Sequence, residues 1–297
     1  MDKIELKALA KINLGLDILG KRPDNYHLVK MVMQTVWLYD RVWIEKTPEE
    51  GIHLTSNLYY LPNNEKNIAY RAAKILMEAF DLPGGVNITL DKHIPVAAGL
   101  AGGSTDAAAV LFGMNRLFKL NLSTEALMDY GVTLGADVPY CIMRGTVLAE
   151  GIGEALTRLH PLPKCYVVLA KPPVNVSTAK VYEAIDGAGR LVHPDIDGLV
   201  EALSRDDLRG VAEKMGNVLE QVTEKKYPVI TEIKKILMAC GALGAMMSGS
   251  GPTVFGLFDS RTNARKARSA VMKAGLAGQV YVANVHKVNA GRDKNAR

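Results

Sequence analysis

The stretch PVAAGLAGGSTDAAAVLFGMNRLF, Pro95 to Phe118, restricts the fold more than any other part of the chain. Glycine and alanine crowd its first half, and an apolar pattern of helical spacing begins directly after Ser104. A helix N-terminus presents unpartnered backbone N–H groups and carries partial positive charge, so it attracts anions. Gly99, Gly102 and Gly103, with Ala97, Ala98 and Ala101, place no bulky side chain between such donors and a phosphate. Ser104 and Thr105 add hydroxyls where a nucleotide phosphate or its metal ion would sit. The order is neither GxxxxGKS/T nor GxGxxG, and no lysine follows the glycines, which excludes a Walker-type site here. Composition alone leaves two readings open: a phosphate-holding loop, or a turn that lets a strand and a helix pack closely.

The segments around this loop alternate between strand and helix patterns. In LKALAKINLGLDILG, Ala8, Ala10, Ile12, Leu14, Leu16 and Ile18 fall on one face, with Lys11, Asn13 and Asp17 on the other. That period of two predicts a half-buried strand. RVWIEK, VNITLDKHI and CYVVLA also read as strands, and KRPDNYHLV as a turn-rich connection. Helical spacing is seen in NIAYRAAKILMEAF, in the segment after Ser104 (Ala107, Leu111, Met114, Phe118) and in STEALMDYGVTLG, where Gly135 marks the end. The last third predicts a helix at Val229–Ala239, strands at Leu243–Met247 and Thr253–Phe258 around a glycine loop, a basic helix, and a strand at Val280–Val285. The helices are not confined between parallel strands, so the class is α+β. The prolines of TRLHPLPK suggest a boundary, dividing the chain into spans 1–158 and 159–297.

With 297 residues, 48% hydrophobic and 23% charged, the chain can bury a core without disulfides or structural metal. Its three cysteines, Cys141, Cys165 and Cys240, are far apart and read as small buried thiols of a reducing compartment. MDKIELKALAKINLG lacks the apolar core of a signal peptide, and no run of membrane-spanning length occurs. A cytoplasmic protein with no membrane partner is therefore expected. From Asp259 onward nine Lys or Arg stand against two Asp, which accounts for more than the whole net charge of +5. That segment has only Tyr281 as an aromatic, so it reads as a solvated helix face and a polar tail rather than a nucleic-acid surface.

The order of residues in PVAAGLAGGSTDAAA resembles the phosphate-binding motif of the GHMP kinases. The chain departs from the motif at Ala101, where many members have glycine, and at Thr105, in place of a second serine or alanine. AKINLGLDILGKRPDNYHLV is similar to the N-terminal signature of the members that act on a CDP-linked methylerythritol, with Asn25 where glycine is usual. Asn also tolerates positive φ in turns. LGADVPYCIMRGTVLAEGIGE and GAMMSGSGPTVFGLF match two further motifs, so the resemblance runs in order from Lys7 to about Phe258.

The resemblance implies a two-domain fold, with an N-terminal domain like domain 2 of ribosomal protein S5 and a ferredoxin-like C-terminal α/β domain. It also implies transfer of the γ-phosphate of ATP to a hydroxyl of the CDP-linked polyol. Lys11 and Asp137 are then the catalytic residues: Asp137 takes or orients the hydroxyl proton, and the lysine stabilises charge on the attacking oxygen. ATP falls to the loop formed by Pro95, Val96, Ala97, Ala98, Gly99, Leu100, Ala101, Gly102, Gly103, Ser104 and Thr105, with Asn67 near the adenine. Asn13, Tyr26, His27, Tyr182 and Gly249 fall to the substrate, Tyr26 and Tyr182 stacking on cytosine while His27 meets its polar edge. No His, Cys, Asp and Glu cluster has metal-ligand spacing, so Mg2+ is expected to arrive on ATP, touched by Ser104. A homoserine or mevalonate kinase-like activity is the alternative. The expected assembly is a monomer or weak homodimer.

Overall fold

The computed structural model describes residues 2–288. In chain order the first elements are β1 (Lys3–Lys21), β2 (His27–Thr47), β3 (Gly51–Ser56), α1 (Ile68–Ala79) and β4 (Gly85–Asp91). They are followed by α2 (Gly102–Phe118), α3 (Thr124–Leu134), α4 (Val138–Met143), β5 (Thr146–Glu150), β6 (Ala155–Arg158) and β7 (Tyr166–Lys171). Next come α5 (Thr178–Asp186), α6 (Ile196–Ser204), α7 (Leu208–Lys214), β8 (Gly216–Asn217), α8 (Glu220–Lys226) and α9 (Val229–Ala239). The described chain closes with β9 (Gly244–Met247), β10 (Val254–Phe258), α10 (Arg261–Lys273) and β11 (Gln279–Asn284). The α+β class holds, with strands gathered into two sheets.

The chain forms two compact units whose segments interleave, whereas the expected spans 1–158 and 159–297 are continuous. One unit holds the chain start to Ala10, Leu38–Val96 and Ala101–Met143; the other holds Lys11–Trp37, Ala97–Leu100 and everything from Arg144. The reason is the length of β1 and β2, each of which contributes one part to either unit.

In the first unit β3 runs parallel to β4, from Gly51 opposite Gly85 to Ser56 opposite Leu90. β4 pairs antiparallel with the Arg41–Thr47 end of β2. α1 and α2 pack on each other and bury Ala69, Ala72, Leu76, Val110, Leu111 and Met114. A Cβ on Gly113 would lie 2.5 Å from Ile44 and 2.7 Å from Leu6, so glycine there lets α2 settle directly onto the strands. Full burial of each leucine or isoleucine in such a core is worth about 1.5–3 kcal/mol.

In the second unit four antiparallel strands take the order β11-β7-β10-β9. Val167 to Ala170 and Val254 to Phe258 are buried, with α9 and α10 packed against this sheet. β5 pairs with β6 and with residues Met31–Gln34 of β2, while β8 runs parallel to β1 at Gly15 and Leu16.

The half-buried reading of the first strand needs correction. Every residue from Ala8 to Ile18 is buried, so both faces of β1 are covered there. Its polar residues survive burial because they are partnered: Lys11 with Asn13, and Asp17 with His193. α2 also starts at Gly102, two residues before Ser104.

Candidate active site

The glycine loop is built from left-handed backbone at alternate positions: φ is 50° at Ala97, 75° at Gly99 and 57° at Ala101. Ala101 is the residue preceding α2 and caps it with no side chain. Its conformation is one that glycine adopts more readily, since a left-handed residue with a Cβ costs about 1–2 kcal/mol. α2 has 17 residues and no acidic side chain in its first turn, so no first-turn carboxylate opposes an anion there. Of the two hydroxyls expected to serve a phosphate, Ser104 is half-buried, but Thr105 is only 1% exposed and packs in the core.

Within the second unit three separate motifs meet around Gly99. The Lys11 amide donates to the Leu100 carbonyl at 3.1 Å, tying β1 to the loop. Ser248 Oγ donates to the Gly99 carbonyl at 2.9 Å and accepts from the Asn13 amide at 3.3 Å. Lys11 Nζ donates to Asn13 Oδ1 at 2.8 Å, both side chains being buried. Gly249, with φ of 59°, lies beside them: a Cβ there would be 3.5 Å from both Asn13 Oδ1 and the Gly99 carbonyl. The Ser248–Gly251 turn is itself pinned by Asn217, whose Nδ2 donates to the carbonyls of Met247 and Gly249 at 2.9 and 2.8 Å. Asn217 carries no motif in the sequence, which is why sequence reasoning missed it.

Within the first unit the start of α2 is held by an ionic cluster that sequence reasoning also missed. Lys92 Nζ donates to Asp40, to Asp106 Oδ2 at 2.5 Å and to the Gly102 carbonyl at 3.3 Å. Asp40 Oδ1 accepts in turn from the amides of His93 and Ile94, at 2.5 and 2.8 Å, just ahead of the loop. Burial, reinforced by Asp40, pushes the Asp106 carboxyl up to about 8 against the pull of Lys92. Burial lowers Lys92, but Asp106 and Asp40 outweigh it and hold the ammonium above its ordinary range. The available signal was position: Lys92 stands just before the loop, and Asp106 just inside the helix.

Asn67, expected near adenine, is the N-cap of α1. Its Oδ1 accepts from the Ala69 amide at 3.0 Å, and its Nδ2 donates to the Pro62 carbonyl at 2.9 Å. Asp137 is half-buried in the turn between α3 and α4, where its carbonyl accepts from the Cys141 amide at 3.0 Å. Among the cysteines Cys141 and Cys165 are buried and Cys240 is half-buried; burial pushes the Cys165 thiol up to about 12, an inert thiol. No group of His, Cys, Asp and Glu suited to a metal ion exists among the described residues. No helix among them is long and apolar enough to cross a membrane.

Of the expected base-binding residues, all in the second unit, Tyr26 and His27 lie at the turn joining β1 to β2 and Tyr182 lies on α5. Asn25 adopts φ of 68°, the conformation that its replacement of glycine requires. The turn closes through the Arg22 amide on the Tyr26 carbonyl at 2.7 Å, which leaves Tyr26 60% exposed. His27 begins β2, and its ring stands 4.9 Å from that of Tyr182 on α5 at an interplanar angle of 50°. The start of α5 reaches the third motif, with Thr178 Oγ1 2.8 Å from Ser250 Oγ.

The model described as GHMP kinases N terminal domain matches residues 67–145, and the one described as GHMP kinases C terminal matches 199–277. The chain is 55% identical over 281 residues to the 4-diphosphocytidyl-2-C-methyl-D-erythritol kinase of Lachnospira eligens, covering 95% of this chain and 98% of that one. The protein of that name from Clostridium botulinum is 51% identical, with 89% and 94% covered. A crystal structure of 4-(cytidine 5'-diphospho)-2C-methyl-D-erythritol kinase is similar with a TM-score of 0.81 and 33% identity, over 96% of this chain and all of that one. Homoserine kinase from Cytophaga hutchinsonii, at 23% identity and a TM-score of 0.75 over 96% and 95% of the two chains, shares the fold.

Proposed function

The chain belongs to the 4-diphosphocytidyl-2-C-methyl-D-erythritol kinases of the GHMP superfamily, and from that premise we propose which of its residues carry the reaction. The reaction transfers the γ-phosphoryl group of ATP to the 2-hydroxyl of 4-diphosphocytidyl-2-C-methyl-D-erythritol. The products are the 2-phosphate and ADP, and the step belongs to non-mevalonate isoprenoid synthesis in the cytoplasm.

Phosphoryl transfer asks a protein for position and charge stabilisation more than for covalent chemistry. The triphosphate rests on the backbone amides between Ala97 and Ser104 and on the start of α2, where neither bulky nor acidic side chains intrude. Asp137 orients the acceptor hydroxyl and draws on its proton, while Lys11 stabilises the charge that develops on the attacking oxygen. The Asn13 bond keeps the Lys11 ammonium in one place within the buried strand. Tyr26 and Tyr182 stack on the cytosine and His27 meets its polar edge.

Mg2+ neutralises phosphate charge in such transfers, and the donor set fits an ion delivered on ATP. The Ser104 hydroxyl, hard, neutral and half-buried in the first turn of α2, is the group that would touch it.

The observation that carries this reading is the convergence of Lys11, Asn13, Gly99, Leu100 and Ser248 through direct hydrogen bonds, from three motifs far apart in sequence. A coupled ADP-release assay tests it. ADP should appear only when the CDP-linked polyol is supplied, and Asp137→Ala should lower kcat by about a thousandfold, with ATP affinity little altered. No ADP with that substrate, or near-normal kcat in the variant, would sink it.

A further inference from the structure

Asp186 closes α5 four residues after Tyr182, so the carboxylate and the ring lie on one face of that helix. Its two oxygens have separate partners. Oδ1 lies 2.6 Å from His27 Nε2, and Oδ2 accepts from Lys21 Nζ at 2.6 Å. An ionised carboxylate can only accept, so the hydrogen on this bond belongs to Nε2. Lys21 already matches the charge of Asp186, and in the adjoining turn Arg22 and Asp24 neutralise each other at 2.8 Å. The His27 side chain is 10% exposed, with the Tyr182 ring packed beside it. The imidazole is thus fixed in orientation and in tautomer, with the lone pair on Nδ1.

We infer that Asp186 is a specificity-determining positioning residue: by holding the proton of His27 on Nε2, it makes Nδ1 an acceptor that selects cytosine over uracil. The inference deepens the substrate reading above and rests on it. Cytosine offers an amino group at C4, whereas uracil offers an oxygen at the same place. An acceptor on the protein bonds the first and repels the second, and rejection of this kind is strong because a polar pair is left unmatched. His27 and then Lys21 hold the Asp186 carboxyl below its usual range, so it stays an acceptor at neutral pH. Asp186 needs no contact with the substrate for this.

Ring nitrogen NMR on the free, full-length protein provides the first test, with the His27 signals assigned by their loss in His27→Gln. The expected pattern at pH 7.5 is a protonated Nε2 and a bare Nδ1; a proton on Nδ1, alone or together with Nε2, overturns the inference. The second test is kinetic. Asp186→Asn should raise KM for the CDP-linked polyol about tenfold, leave kcat and the KM for ATP within about twofold, and narrow the preference over the UDP-linked analogue. Asp186→Glu, which keeps an ionised acceptor, should recover most of that preference. An Asp186→Asn enzyme with unaltered KM and unaltered preference removes the role from Asp186 while the substrate reading stands. Absence of turnover by the unaltered protein removes the substrate reading itself, and the inference with it.

Discussion

Gly99 lies in the loop and Gly103, four residues on, in the first turn of α2, yet they are glycine for different reasons. At Gly99 a Cβ would lie 2.1 Å from the Ser248 carbonyl oxygen, and φ is 75°. A backbone oxygen cannot swing aside as a flexible side chain can. Gly99→Ala should therefore lower stability by roughly 2–4 kcal/mol, from overpacking and left-handed strain together, and abolish turnover. At Gly103 the nearest atom to a new Cβ is Ile68 Cδ1 at 3.5 Å, an ordinary contact, and the residue is exposed. Gly103→Ala should melt within a few degrees of the unaltered protein but raise the KM for ATP, because its methyl group intrudes on the phosphate path. Thermal melts with initial-rate kinetics on both variants check this contrast. A Gly103→Ala enzyme with unchanged KM would mean that the glycine serves packing alone. Composition left those two explanations open, and the two variants test them on different residues.

The start of α2 is set by Lys92 from below and by its lead-in residue Ala101, and the turn of Ser248–Gly251 by Asn217. Both devices fix loops built mainly of small residues. α10 plays the opposite part: Ala264, Ala267 and Val271 face the sheet, while Arg261, Arg265 and Lys266 are exposed. A cationic face of this kind needs no partner to be stable in water. The double substitution Arg265→Gln with Lys266→Gln should leave turnover within about twofold, and no salt-dependent binding to RNA should be measurable in either protein. Tight binding lost in the double variant would assign α10 a nucleic-acid role. Of the other basic residues in this segment, Arg268, Lys273 and Lys287 are among the described residues, while Arg292, Lys294 and Arg297 lie in residues 289–297, outside them.

At the scale of the whole molecule, the buried cluster couples stability to pH. Asp106 titrates near 8 in the folded chain against 3.8 ordinarily, so between those values the native state keeps a proton that the unfolded state releases. Its contribution is therefore fully present below about pH 4 and fades as pH rises through 8. Asp106→Asn imitates the protonated form at every pH. Its melting temperature relative to the unaltered protein should rise steadily from pH 5 to 8.5; a difference that stays flat would place the proton elsewhere. The same cluster shows where sequence reasoning stopped. β strands, α helices and the three glycine-bearing motifs were legible because period, turn residues and motif order are local properties of the chain. The left-handed demand at Asn25 was legible for that reason too, and so was the helix Val229–Ala239. Burial of Lys11 and Asn13 was not, since alternation describes which side of β1 a residue faces and not what covers that side. Nor was the meeting of Lys92 with Asp40, or of His27 with Asp186, across 52 and 159 positions. By itself the sequence determined strands β1, β4, β7 and β9–β11, helices α1–α3, α9 and α10, the motifs and the family. Only the tertiary structure decided which charges lose their water and which partner each then takes, because desolvation and pairing depend on neighbours that the chain brings together late.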